Sequence, residues 1–202
     1  LLPLVLVFSA CGDDDDSGDG GDDGGGDTEE ATGDALVIGR VLPETGPLSF
    51  LGPPMIVGLE LAIEDINAAG GVNGQEVTLL EADEGETPAV AREGATRLLN
   101  EGAHAIVGAA ASGSSQEFIQ QLSDAGVPQC SGSNTSPDFS TQENADFYFR
   151  TVPPDEAVAP IIADEVIADG AEKVVVVARA DDYGNALGEL VKTGLEEAGA
   201  EV

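Results

Sequence analysis

Tryptophan is absent, histidine occurs once, and only 2 cysteines and 7 Lys or Arg stand among 202 residues. With aromatics at 4%, there is little to line a sugar or nucleic acid groove by stacking. Seven bases against 39 acids give a net charge of -32, which repels phosphate backbones and anionic lipid faces and argues against a nucleic acid partner. No GxxxxGK[ST] or GxGxxG occurs, and both lysines, Lys173 and Lys192, lie away from glycine loops, so nucleotide chemistry has no motif here. Nor is there a GxSxG elbow. The one histidine, His104, opens a predicted strand, whereas the serines near residue 113 follow that strand's end, about 13 Å away at ~3.3 Å per residue. A nucleophile and base cannot meet across that gap, and no enzyme is expected. Adjacent Asp181 and Asp182 without His or Cys nearby read as loop solvation, so no metal and no cofactor are assigned.

What is present begins with an apolar run, residues 1–8, ended by Ser9, Ala10 and Cys11. Eight residues cannot span a bilayer, which takes about 20, but they suit the h-region of a signal peptide. Small residues before a cysteine resemble a bacterial lipobox, with Cys11 as the lipidated residue and the membrane as a partner through that anchor. If Cys11 is acylated, Cys130 has no disulfide partner. Residues 12–34 hold 11 acids, 8 glycines and no base; they cannot bury enough apolar area to offset ordering and are expected to be a disordered tether. The chain stops at Val202, read as lying within a strand, so an N-terminal fragment is expected.

From residue 35 onward, β-rich runs alternate with helical patterns, the signature of βαβ units and a parallel sheet. Strands are predicted at 36–42, 76–83, 105–107, 127–130 and 147–151. A helix carrying Ile56, Leu59, Ile63 and Ile66 at spacings of three and four ends at Gly70 and Gly71. Another spans 87–101 with Val90, Leu98 and Leu99 inward, and a third spans 114–125. A 16-residue polar loop, 131–146, is long enough to expect a role in function. After Pro153 and Pro154 the pattern restarts with a helix at 155–168, a buried strand at 174–177 and a helix at 183–198. The double proline is read as a domain crossing, dividing 35–150 from 151–202.

In open parallel sheets ligands bind beyond the carboxyl ends of strands, where neighbouring connections leave on opposite faces. That rule favours two loops, 44–52 and 108–115. The second places small residues and hydroxyls where a helix begins, so free N–H groups and the helix dipole face the crevice and suit a carboxylate. Ser112, its neighbours' amides and Thr135 are the candidate donors. Simple N-capping by Ser112 or Ser114 fits the same residues.

The order of motifs GPLSFLG, GLELAIEDINAAGGVNGQEV, IVGAAASGSSQ, NTSPDF, FYFRTVPPD and DDYG resembles the leucine/isoleucine/valine-binding protein family, periplasmic binding fold type I, over residues 35–202. The resemblance implies an α/β protein with a Rossmann-like lobe 1 at 35–150, helices on both faces of its sheet, and an incomplete second lobe at 151–202. It implies an amino acid ligand held between the lobes and an ABC transporter permease as partner. Position by position, Ser112 matches a carboxylate ligand, Ala111 a pocket wall, Ser133 and Thr135 contacts to the ammonium and carboxylate, and Tyr183 an aromatic that closes on the ligand. Phe50, Leu51, Ala110, Gly113 and Ser114 are further candidates. Phe50 and Leu51 depart from the family's first-loop aromatic, and Ala111 from its cysteine. Relatives that bind amides, urea or aromatic acids share the fold, as do sensory domains of receptors, and these readings stay open.

Overall fold

In the computed structural model, residues 34–143 and 146–202 are described; Cys11 and residues 12–33 lie outside them. Five parallel strands form one sheet in the order β2-β1-β3-β4-β5, with β1 at Val37–Leu42, β2 at Thr78–Asp83, β3 at Ala105–Gly108, β4 at Gln129–Ser131 and β5 at Tyr148–Arg150. All five strands predicted between residues 36 and 151 are therefore present. Helices α1 (Gly52–Ala68), α2 (Pro88–Asn100) and α3 (Ser112–Ala125) make the first three crossovers. β2 and β3 flank β1 on opposite sides. With right-handed crossovers, the connections leaving β1 and β3 go to opposite faces, and the ends of these two strands open a crevice.

The core explains which helical residues matter. α2 and α3 pack on one another and on the sheet through Leu98, Ile106, Phe118 and Leu122. Leu98 is fully buried, as its spacing predicts, but Val90 is 42% exposed. It stands in the first turn after Pro88, beside the fully buried Ala91, and so falls off the face of α2 that Ala91, Ala95 and Leu98 turn to the core. α1 is less buried than its apolar stripe predicts: Gly52 is its one buried residue, and Ile66 lies at the surface. β1 also buries a charge, Arg40, which donates to Glu81 and Glu44 and so avoids the cost of an unpaired buried ion.

Beyond β5, α5 (Asp155–Ala168) and α6 (Asp182–Glu197) pack around a second cluster built on Ala159, Ala163, Val191 and Leu195. The run predicted as a buried strand at 174–177 is not one. Val174 and Val176 face that cluster, but Val175 and Val177 are 86% and 89% exposed. The segment forms no ladder among the described residues; its neighbour Lys173 makes a single parallel bridge to Glu201. A strand exists only through hydrogen bonds to a neighbouring strand. A short helix missing from the sequence reading, α4 (Asp138–Thr141), sits inside the polar loop, its Phe139 stacked on Tyr148 at 4.4 Å.

Leu98→Ala is expected to cost about 2–5 kcal/mol of unfolding free energy, against about 0.5 kcal/mol or less for Val90→Ala. Denaturant unfolding of the two variants measures the contrast.

Candidate functional site

The loop after β3 is fixed from three directions. Gly108 has φ 123°, and a Cβ there would collide with the Val41 carbonyl oxygen, so only glycine lets β3 turn this close to β1. From β4 and the polar loop, the Gln129 amide donates to Gly108 O at 2.9 Å and the Ser131 hydroxyl to Ala109 O at 2.8 Å. The buried Asn134 amide nitrogen donates to Ala109 O and Ala110 O at 3.1 and 2.9 Å. Within the loop, Ala109 N–H donates to the Ser115 hydroxyl oxygen at 2.9 Å.

The third direction comes from Glu84, one residue past β2 and 2% exposed. Its carboxylate accepts from Ala110 N–H at 2.7 Å and Ala111 N–H at 2.9 Å, and it is bonded to the Ser114 hydroxyl. Two of the amides expected to receive a ligand carboxylate are thus already answered by the protein's own acid. The α3 N-cap is Ala111, with no side-chain cap, so Ser112 and Ser114 do not serve as caps. The first helical bond is Ser115 N–H to Ala111 O. Among the described residues, the amides of Ser112, Gly113 and Ser114 have no backbone acceptor, and the Ser112 hydroxyl, on a residue only 2% exposed, has no partner.

Ser133 and Thr135 are placed differently from Ser112. The Ser133 hydroxyl donates to Ala110 O at 2.7 Å, and the Thr135 hydroxyl donates to the Asp155 carboxylate at 3.1 Å. With those protons committed, each presents lone pairs and so suits a ligand donor such as an ammonium. The Thr135 proton, expected from sequence to serve a carboxylate, is directed at Asp155 in this structure. Asp155 N–H returns a bond to Thr135 O at 2.8 Å, tying the start of α5 to this wall.

A cavity of about 280 Å³ brings together Phe50, Leu51, Ala110, Ala111, Ser112, Ser133, Thr135 and Tyr183. Gly113 and Ser114 face an adjoining cavity of about 450 Å³ that shares Leu48, Ala111, Ser112, Arg179 and Tyr183 with the first. Every described candidate residue thus lines one of two neighbouring spaces. Sequence reasoning missed Glu84, Arg179 and Asn134. Glu84 and Arg179 each follow a β-rich run, the position the strand-end rule marks, but neither stands out among so many charges. Arg179 pairs with Asp181, whose other oxygen caps α6 by accepting from Gly184 N–H at 2.8 Å. Asp181 is thus a helix cap rather than simple loop solvation. His104 accepts from Val37 N–H through Nδ1 at 3.0 Å, a link between strand ends far from these cavities.

The family model described as periplasmic binding protein matches residues 35–202. The chain belongs to that family. Among the family's curated members, it is 31% identical over 165 residues to Leu/Ile/Val-binding protein homolog 3 of Brucella melitensis, covering 81% of this chain and 45% of that one. It is 31% identical over 170 residues to the leucine-, isoleucine-, valine-, threonine- and alanine-binding protein of Pseudomonas aeruginosa, covering 84% and 45%. Among solved structures, the branched-chain amino acid transporter substrate-binding protein of Streptococcus pneumoniae with isoleucine aligns at TM-score 0.76 and 28% identity, covering 84% of this chain and 48% of that one. A solute-binding protein of R. palustris with benzoate aligns at 0.74 and 25%, covering 84% and 47%. The chain spans about half the length of the relatives it matches. The fold is that of type I periplasmic binding proteins.

Burial raises the Glu84 carboxyl above its ordinary value near 4.5, against the lowering effect of the bonds from Ala111, Ala110 and Ser114. Because the folded state holds that proton more tightly, stability due to Glu84 is fully present below about pH 4.5 and is lost as pH rises through the folded value. Glu84→Gln removes this slope, so wild type is expected to lose stability relative to the variant as pH rises from 4.5. Unfolding midpoints of both proteins across a pH series check it.

Proposed function

We propose that this chain is the ligand-capturing first half of an extracytoplasmic solute-binding protein that delivers a branched-chain or related amino acid to an ABC transporter permease. The observation that carries this reading is the convergence on one small cavity of residues from the first loop, the β3–α3 loop, the polar loop and the start of α6. The cavity's chemistry is divided. Ser112 offers a free hydroxyl and amide, which suit a carboxylate. Ser133 and Thr135 offer acceptors, which suit an ammonium. Phe50, Leu51 and Leu48 supply an apolar wall, and Tyr183 stands opposite.

In this reading residues 35–150 are the first lobe and 151–202 begin the second. Ligand binds the first lobe, Tyr183 closes over it, and the closed form is what the permease recognises, so ligand shifts an open–closed equilibrium without making or breaking a bond. The family supports a place outside the cytoplasm, and no described helix is long and apolar enough to cross a membrane. The proposed attachment is a lipid on Cys11, with residues 12–34 as tether. An aromatic acid without an ammonium, such as the benzoate in the R. palustris relative, would leave the acceptors on Ser133 and Thr135 without donors.

In the full-length protein, calorimetric titration with a panel of amino acids is expected to find at least one that binds, with Ser112→Ala weakening it about tenfold or more, the usual scale for a hydrogen bond to a charged group. Unchanged affinity in Ser112→Ala removes the carboxylate assignment, and chemical turnover of any ligand removes the binding-protein reading.

A further inference from the structure

Of the two acceptors on the cavity wall, Ser133 and Thr135, only Thr135 owes its direction to a side chain. The Ser133 hydroxyl donates to a main-chain carbonyl, Ala110 O at 2.7 Å, which no substitution removes. The Thr135 hydroxyl donates to the Asp155 carboxylate at 3.1 Å. Asp155 is only 2% exposed and stands behind Thr135, outside the cavity lining. Its own N–H holds it there by donating to Thr135 O at 2.8 Å. Glu84 is bonded to two amides and a hydroxyl, whereas the Asp155 carboxylate has that one hydroxyl bond and no ion-pair partner among the described residues. The Arg150 guanidinium, which bears on it electrostatically, donates instead to Ser136 O and the Ser140 hydroxyl. Burial accordingly raises the Asp155 carboxyl above its ordinary value, and the Thr135 bond offsets only part of that effect.

A buried negative charge short of partners favours a positive charge nearby. A ligand ammonium donating to Thr135 Oγ1 completes a chain of ammonium, hydroxyl and carboxylate in which each bond polarises the next. Two hydrogen bonds in series put the two charges about 6 Å apart at most, within the range over which opposite charges stabilise one another. We propose that Asp155 is a positioning residue for ligand selectivity: through Thr135 it makes the cavity prefer a carboxylate ligand that also carries an α-ammonium over the same acid without one. The proposal rests on the amino acid reading above and assigns its ammonium requirement to a residue that does not touch the ligand. Replacing the carboxylate by an amide removes the charge and supplies an N–H that can donate to Thr135, which frees the threonine proton for an anionic oxygen.

The test is calorimetry on the full-length, ligand-stripped protein with a panel of L-amino acids, each paired with the acid that lacks its amino group, such as L-leucine with isocaproate and L-valine with isovalerate. Wild type is expected to bind the amino acid of a pair about tenfold or more tightly than its partner, the scale of a hydrogen bond to a charged group. In Asp155→Asn that ratio is expected to fall about tenfold, whereas Asp155→Glu, which keeps the charge, retains more of it. A purely structural role for Asp155 weakens both members of a pair alike, and an unchanged ratio in Asp155→Asn overturns the proposal while leaving the amino acid reading standing. Thr135→Val removes the hydroxyl and keeps the side chain's shape; it is expected to lower the ratio by a similar factor and decides the matter if Asp155→Asn does not fold. Wild type that binds both members of a pair equally also overturns the proposal. Failure of every amino acid to bind overturns the amino acid reading with it.

Discussion

The site depends on one buried carboxylate. Glu84 leaves the end of β2 and answers the two amides that precede α3, at 2.7 and 2.9 Å. Taking a carboxylate out of water is costly unless hydrogen bonds replace its hydration, and here two amides and the Ser114 hydroxyl offset part of that cost while burial still raises the carboxyl above its ordinary value. The tie joins β2 to the β3–α3 loop across β1, while Gln129, Ser131 and Asn134 hold the same loop from the far side. Held from both sides, the loop presents Ser112 with its hydroxyl and amide uncommitted. Preorganisation of this kind is what a binding site needs, because little has to be ordered when ligand arrives.

The same network separates the polar roles. Donors gather at Ser112 and acceptors at Ser133 and Thr135, because the protons of the latter two are drawn to Ala110 O and to Asp155. Thr135 and Asp155 exchange two bonds, so the acceptor wall is joined to the first helix beyond β5. A ligand that engages Thr135 therefore acts on the segment that must move if the halves of the cleft close.

Much of this was legible in the sequence, and for identifiable reasons. The five strands of the sheet follow from the alternation of β-rich runs with helical patterns, and hydrophobic periodicity reports burial directly for Leu98. The candidate loops follow from the strand-end rule, and the cavities lie where it places them. Periodicity failed where burial depends on a partner rather than on pattern: α1 and the run at 174–177 are apolar, yet Ile66, Val175 and Val177 lie at the surface among the described residues. Glu84 escaped because an acid after a strand looks the same whether it meets water or two amides. The direction of the Thr135 proton is likewise a property of its neighbour Asp155, 20 positions away in sequence.

The most direct measurement is a crystal structure of the full-length protein with bound ligand. The account predicts a carboxylate oxygen of the ligand within about 3 Å of the Ser112 hydroxyl or amide, with Glu84 still bonded to Ala110 and Ala111. A ligand whose carboxylate lies elsewhere, with the Ser112 hydroxyl donating to a protein atom instead, would contradict it.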